Sequence, residues 1–465
     1  MVKKGEKKWL GPFVKVLVVV AIMILLLIPL FMIKGLVEER RGLKTSAAEQ
    51  IIEEVGGELK LVGPLLVLPY EYEETKRSGE EEEILRRQDE IHVIPETLTL
   101  RGRLEVEYRS LGIYRAPVFR AFIDGNGKFR TQVGDLYPSY AVPLPEENHF
   151  IVGIEHMEGI RGISDLQWGD RQIRFLADAG NLAVGNGVNA AVGKIEASDG
   201  IDAVDFSFDM EISGGSRANF VPLGRDTVFE LSGDWPSPSF LENLLPSELD
   251  RSDEGFSASW KIPEVSRPIQ PSWKSSEVET AIGSRIHSLG VKLLEPVENY
   301  KKIERSNKYG LLFLMIPFAV FFLLETLARL RVHPMQYMMV GAANVVFYLL
   351  LLAISEHLGF DAAYLIAAAA VVSLISIYAY SITRAGYSEL EEGRPLLSAR
   401  AAYLSMPVIL SAAYFWLWLT LSSEDYALLI GSAGVFAILG LIMLATRKVK
   451  WYHSFGSRVG PDGRK

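Results

Sequence analysis

The sequence predicts a membrane α-helical protein with six transmembrane helices and one extracytoplasmic β-rich domain, a β-sandwich or an α+β fold, set between the first and second helices. Three observations predict it. Apolar runs long enough to cross a bilayer occupy both ends of the 465-residue chain. The middle alternates apolar and polar residues with period two. Charge is divided unequally: residues 35–308 carry 31 Lys and Arg against 47 Asp and Glu, net −16, while the rest is net +7. Such asymmetry belongs to a membrane-anchored chain, because basic residues are retained on the cytosolic side.

Hydrocarbon holds no water to satisfy backbone groups, and a helix satisfies them internally, so an uncharged run of about 18 residues marks a span. The first candidate is Val16 to Ile33. Its length, and the lack of a small-x-small cleavage site at Lys34-Gly35-Leu36-Val37, favour an uncleaved anchor over a signal peptide. The second starts near Tyr309 and is uncharged to Leu324; it reaches Ala328 if Glu325 snorkels or is paired. The others are Pro334 to Ser355, Ala362 to Thr383, Ala401 to Ser423 and Tyr426 to Thr446. Lys and Arg cluster in the N-terminus, after the second and fourth spans and in the tail 447–465, and are absent from Glu356–Asp361 and Glu424-Asp425. Both termini are therefore expected in the cytosol and the domain 35–308 outside it.

Residues 36–55 leave the first span as an amphipathic helix. Beyond them strand patterns dominate: 60–73, punctuated by Pro64 and Pro69, then 96–110, 202–213, 225–233 and 255–262. In 202–213, Val204, Phe206, Phe208, Met210 and Ile212 share one face, the mark of a half-exposed antiparallel strand. "FIDGNGKF" (122–129) carries a hairpin-turn signal, since Gly and Asn tolerate positive φ. The charged stretch 71–90 fits a solvated, mobile loop between two strands better than a cation or partner site.

Chemistry is sparse. The chain has no Cys, which removes disulfides, thiolate catalysis and Cys-based metal sites, and a domain of about 270 residues is large enough to bury a core without staples. None of the seven His has HExxH or comparable spacing. His149 and His156, seven apart on a strand pattern, point to opposite faces. No GxSxG or Walker motif occurs, and "EISGGSRANF" (211–220) reads as a turn rather than a phosphate loop. The domain is acidic, so nucleic acid is not an expected partner. No catalytic, cofactor-binding or metal-ligating residue is assigned, and no enzyme is expected.

Ionisable groups near the membrane are the candidates that remain, because charge there is costly. Glu325 and Arg329 are four apart on one helix face and can pair; His333 then begins the third span. Glu356 and His357 lie at its other end, ~30 Å away at 1.5 Å per residue, so the two groups cannot share one site. An interfacial ion pair and a capping turn explain them more simply than a proton or substrate path. Small residues in 364–376 suit close helix packing.

Several segments resemble the CreD family of bacterial inner-membrane proteins: "LLLIPLFMIKGLVEER" (25–40), "LVGPLLVLP" (61–69), "IPETLTLRG" (94–102), "LGIYRAPVF" (111–119), "GDWPSPSFLENLLP" (233–246), "FFLLETLARLRVHPMQYMMVG" (321–341) and "FYLLLLAISEHLGF" (347–360). The resemblance implies a role in cell envelope integrity under an envelope-stress or β-lactam-responsive two-component system. It implies no reaction, ligand or catalytic residue. The expected partners are the lipid bilayer and an envelope component or membrane protein, with a homo-oligomer left open. The alternative is a transporter or lipid-handling protein using helices 309–446, disfavoured because the fourth to sixth spans carry no charge.

Overall fold

The structure, a computed structural model, describes residues 12–78, 81–181, 185–195, 203–241, 244–266, 269–277, 288–293, 299–327, 332–387, 399–423 and 426–447. The chain forms two compact units: Lys44–Pro296, and Met1–Leu43 together with Val297–Lys465.

The first unit is built on two sheets. Along the main path of one sheet run β10 (Leu176–Asn181), β11 (Gly185–Ala191), β6 (His149–Ile154), β1 (Leu59–Ser78), β13 (Arg217–Pro222), β19 (Leu289–Leu293) and β15 (Pro238–Phe240). Off it, β2 (Glu81–Val93) and β5 (Val142–Pro143) pair with β1, and β18 (Ser272–Lys274) pairs with β2. The second sheet runs β16 (Glu248–Arg251), β17 (Phe256–Ile262), β14 (Asp226–Gly233), β3 (Thr97–Leu111), β4 (Tyr114–Arg130), β12 (Ala203–Gly215), β8 (Leu166–Trp168) and β9 (Arg171–Ile173), with β7 (Ile160–Ile163) on β12. The β1–β13 and β3–β14 pairings are parallel.

The sheets stack through one core. Phe220 on the first meets Phe229 on the second with ring centroids 4.9 Å apart, and Phe150 meets Phe206 at 5.3 Å. This is a sandwich, and the apolar alternation explains it: Phe206, Phe208, Met210 and Ile212 all face this core. Around β1 the first sheet is covered on both faces. Leu66 and Leu68 join the main core, while Leu65 and Val67 join a second one with Ile269 and Trp273. A strand buried on both sides needs a continuous apolar run, which is what 65–68 supplies. The second sheet turns a charged face to solvent.

Two expectations are corrected. Residues 122–129 form no turn; they lie within the unbroken strand β4, paired with β3 and β12. Gly125 and Gly127 are there for space: a Cβ on either would overlap the Phe208 or Phe206 ring of β12. Within the stretch 71–90, residues 71–78 and 81–90 are likewise strand, not loop; 79–80 lie outside the described residues. β1 and β2 pair in register from Leu66↔Val93 to Ser78↔Glu81. Opposite charges meet across the ladder, with Arg87 Nε 3.1 Å from Glu74 Oε2, and Tyr70 Oη donates to Asp89 at 3.0 Å. The chain does turn at 211–220, where Ser216 (φ 62°) links β12 to β13.

The second unit is helical. Its helices are α1 (Pro12–Val55), α2 (Asn299–Lys308), α3 (Gly310–Leu327), α4 (Pro334–Leu358), α5 (Phe360–Tyr387), α6 (Ala399–Ser422) and α7 (Ala427–Thr446). α1 continues past the unit boundary, and its last turns, with Ile51 and Val55, pack on Ala116 and Val118 inside the β-rich unit. Among the described residues, three helices are long and apolar enough to cross a membrane: Val16–Val55, Pro334–Leu358 and Phe360–Ile382. Shorter apolar helices cover Phe313–Phe322, Met406–Ser422 and Ala427–Gly440. Gly341 lets α4 pack closely, for a Cβ there would overlap Leu26 of α1.

Candidate functional site in the helical unit

Glu325 lies near the end of α3; Arg329, its expected partner, falls outside the described residues. His333 is the N-cap of α4. Its Nδ1 accepts from Met335 N at 3.2 Å, while Gln336 Oε1 accepts from His333 N at 2.9 Å. This reciprocal box satisfies two backbone donors that a helix start leaves open. Twenty-three residues on, ~35 Å away along the helix, stand Glu356 and His357. The structure therefore keeps the two groups of sequence candidates apart.

Around Glu356 it assembles a charged collar from four helices. Glu356 Oε1 is 3.9 Å from Arg40 Nε of α1, with its side chain only 12% exposed. Arg41 Nη1 is 3.3 Å from Glu304 Oε2 of α2, and Lys308 Nζ is 3.3 Å from the other oxygen. Lys302 Nζ reaches Asp361 Oδ2 at 3.8 Å and lies 5.2 Å from the centre of the Phe360 ring. Trp418 Nε1 donates to Asp361 Oδ1 at 3.0 Å. Gly359 makes this possible: at φ 78° it turns the chain from α4 into α5 with a single residue between them. His357 is exposed beside the collar.

Below the collar the bundle interior holds a polar cluster. Tyr414 Oη of α6 donates to Asn344 Oδ1 of α4 at 2.5 Å, and Tyr364 Oη of α5 donates to the Tyr414 carbonyl at 2.7 Å. Phe347 packs edge-on against both tyrosines, 4.8 Å from Tyr414 and 5.3 Å from Tyr364. Asn344 and Tyr348 are each 1% exposed, yet among the described residues Asn344 Nδ2 and Tyr348 Oη have no hydrogen-bond partner; nor does Ser306 Oγ of α2, at 0%. Neutral hydroxyls and amides of this kind can bind and orient a polar group. The search for charge in the spans missed them. An Asn inside an apolar span is the signal that could have found the place, whereas nothing local links Asn344 to Tyr414, 70 residues on.

The β-rich unit carries a separate groove of about 870 Å³ on the solvent face of its second sheet, lined by Arg101, Arg103, Asp124, Asp209, Glu230 and Lys261 among others. Ser257 and Ser259 of β17 line it on the same strand as Lys261, with Ser259 paired across from Glu230 of β14. Partial burial, with Asp124 opposite on β4, holds the Asp209 carboxyl above the usual carboxylate range.

Apolar helices long enough to cross a membrane, a polar collar at one end of them and a two-sheet unit on the same chain define a helical membrane protein with a large β-rich insertion between its first and second apolar helices. The family described as "Inner membrane protein CreD" matches residues 12–452, and the chain belongs to the CreD family. It is 28% identical over 439 residues to the protein named "Inner membrane protein CreD" of Escherichia coli (strain K12), covering 92% of this chain and 91% of that one.

Proposed function

We propose that the chain is a non-enzymatic inner-membrane protein that contributes to cell envelope integrity and the response to envelope stress. It crosses the membrane six times with both termini in the cytosol. The β-rich unit stands on the periplasmic side and binds an envelope component or partner protein. The observation that carries the reading is the groove on the second sheet: an open, concave, charged face on a domain whose other sheet is covered on both sides around β1. Alternating basic loops support the topology, and the family's inner-membrane description supports the compartment.

The test is a photo-crosslinking residue placed at Ser257, which lines the groove, with Leu176, exposed on the first sheet, as control. Position 257 should capture a defined envelope component in growing cells and position 176 should not. Equal capture at the two positions would remove the groove from the proposal.

A further inference from the structure

The β3–β4 hairpin of the β-rich unit runs on past its sheet. Pairing of β3 with β14 ends at Gly233↔Leu104 and pairing of β4 with β12 ends at Gly215↔Val118, while β3 and β4 pair with each other as far as Leu111↔Tyr114. Residues 105–117 therefore form a two-stranded ribbon, with Gly112 at φ 62° in its turn. A ribbon of this kind is marginal in water alone. Its tip is apolar at the surface: Tyr108 is 42%, Leu111 37% and Ile113 50% exposed. Single exposed apolar side chains need no explanation, but three within six residues at a ribbon tip mark a contact surface. Two cations flank them. The Arg115 guanidinium lies 4.6 Å from the centre of the Tyr108 ring and has no carboxylate partner among the described residues. Arg109 Nε lies 3.4 Å from Glu107 Oε1, an exposed pair that water screens. With two Arg against Glu107, residues 107–115 are net +1 inside a region, 35–308, that is net −16.

Contacts within the unit show which way the tip points. A Cβ on Gly215 would come 2.9 Å from Ile52 of α1, and one on Gly56 would come 3.1 Å from the Ser213 carbonyl. Ile52 to Gly56 spans ~6 Å of helix and Gly215 to Ser213 ~7 Å of strand. The last turns of α1 therefore run antiparallel to β12 and in the direction of β4. Followed back toward its start, β4 leads to the hairpin tip, and α1 leads to Lys44, the residue by which it enters the unit. Beyond Lys44 the same helix is the apolar run that begins at Val16. Apolar side chains beside Tyr and Arg suit a lipid–water interface: the apolar groups enter it, the Tyr ring sits among the headgroups and a guanidinium pairs with phosphate. We propose that the hairpin tip, Tyr108–Arg115, seats on an anionic lipid surface, with Leu111 and Ile113 in the interface and Arg109 and Arg115 on lipid phosphates.

The test uses the full chain, which has no cysteine of its own, with an environment-sensitive fluorophore on Ser110→Cys at the tip or on Lys128→Cys as control. Lys128 is exposed on β4, ~43 Å along the strand from Arg115. The protein is reconstituted into vesicles of phosphatidylcholine with phosphatidylglycerol, or of phosphatidylcholine alone, each doped with lipid spin-labelled near the headgroup. In the mixed vesicles the spin label should quench position 110 about twice as strongly as position 128. The excess should fall by at least half in phosphatidylcholine alone, and likewise in the mixed vesicles when Arg109→Gln and Arg115→Gln are combined. Leu111→Gln with Ile113→Gln should abolish it. Equal quenching at positions 110 and 128 would leave the tip in water and overturn the proposal. Blue-shifted emission at position 110 without quenching by lipid would mean that protein covers the tip, which overturns it too. An excess indifferent to lipid charge and to the two Arg would overturn the phosphate contacts.

Discussion

At the scale of single residues, polar groups decide where segments meet. Arg225 is the clearest case in the β-rich unit. Its Nη1 donates to both oxygens of Glu96 at 3.0 and 2.8 Å, and its Nε and Nη2 reach Glu264 Oε1 at 3.0 and 2.9 Å. One guanidinium therefore ties the starts of β3 and β14 to the turn after β17. Arg225→Ala is expected to destabilise the unit by about 1–3 kcal/mol, since it strands two carboxylates that lose a planar donor; tryptophan fluorescence during urea unfolding would report it. Asp209 acts in the opposite sense. Its folded carboxyl holds a proton more tightly than an unfolded one, first through desolvation and then through Asp124. The native state then binds more protons, and stability falls as pH rises through the interval above the ordinary carboxylate value. Asp209→Asn should be more stable than the parent at pH 7, with the difference shrinking toward pH 4. A difference independent of pH would remove Asp124 and burial as the cause.

At the scale of elements, the glycines of β4 separate two readings of one segment. A turn would tolerate alanine at position 127; a strand would not, because a Cβ there overlaps the Thr97 carbonyl and the Phe206 ring. Gly127→Ala should cost about 1–3 kcal/mol by overpacking, measured in the same unfolding experiment. This is also where the sequence stopped being legible. The inward face of β12 could be read because its period of two is local. The rings of Phe206 and Phe208 that require Gly127 and Gly125 come from another strand, so the glycines alone looked like a turn. The run 71–90 misled for a related reason: its charges look repulsive when read along the chain and are complementary when read across the β1–β2 ladder, as Arg87 and Glu74 show. In the helical unit the spacing of charge found Glu356 and His357 but not their surroundings, since Arg40 and Glu304 come from distant helices. Asn344 and Tyr414 carry no charge to search for.

At the scale of the whole molecule, the division of labour follows from composition. An acidic insertion, Lys44–Pro296, folds as a sandwich with its own core, while the flanking runs form the helices. The proposed function needs the sandwich, and the groove on it, to face away from the cytosol. The lack of cysteine makes that claim directly measurable, because any introduced thiol is the sole one in the chain. Ser257 in the groove and Arg447 at the end of α7 are both exposed. In spheroplasts treated with a membrane-impermeant maleimide, Ser257→Cys should label at once and Arg447→Cys only after the membrane is opened by detergent. Protection of Ser257→Cys in intact spheroplasts, with ready labelling of Arg447→Cys, would place the groove in the cytosol and contradict the account.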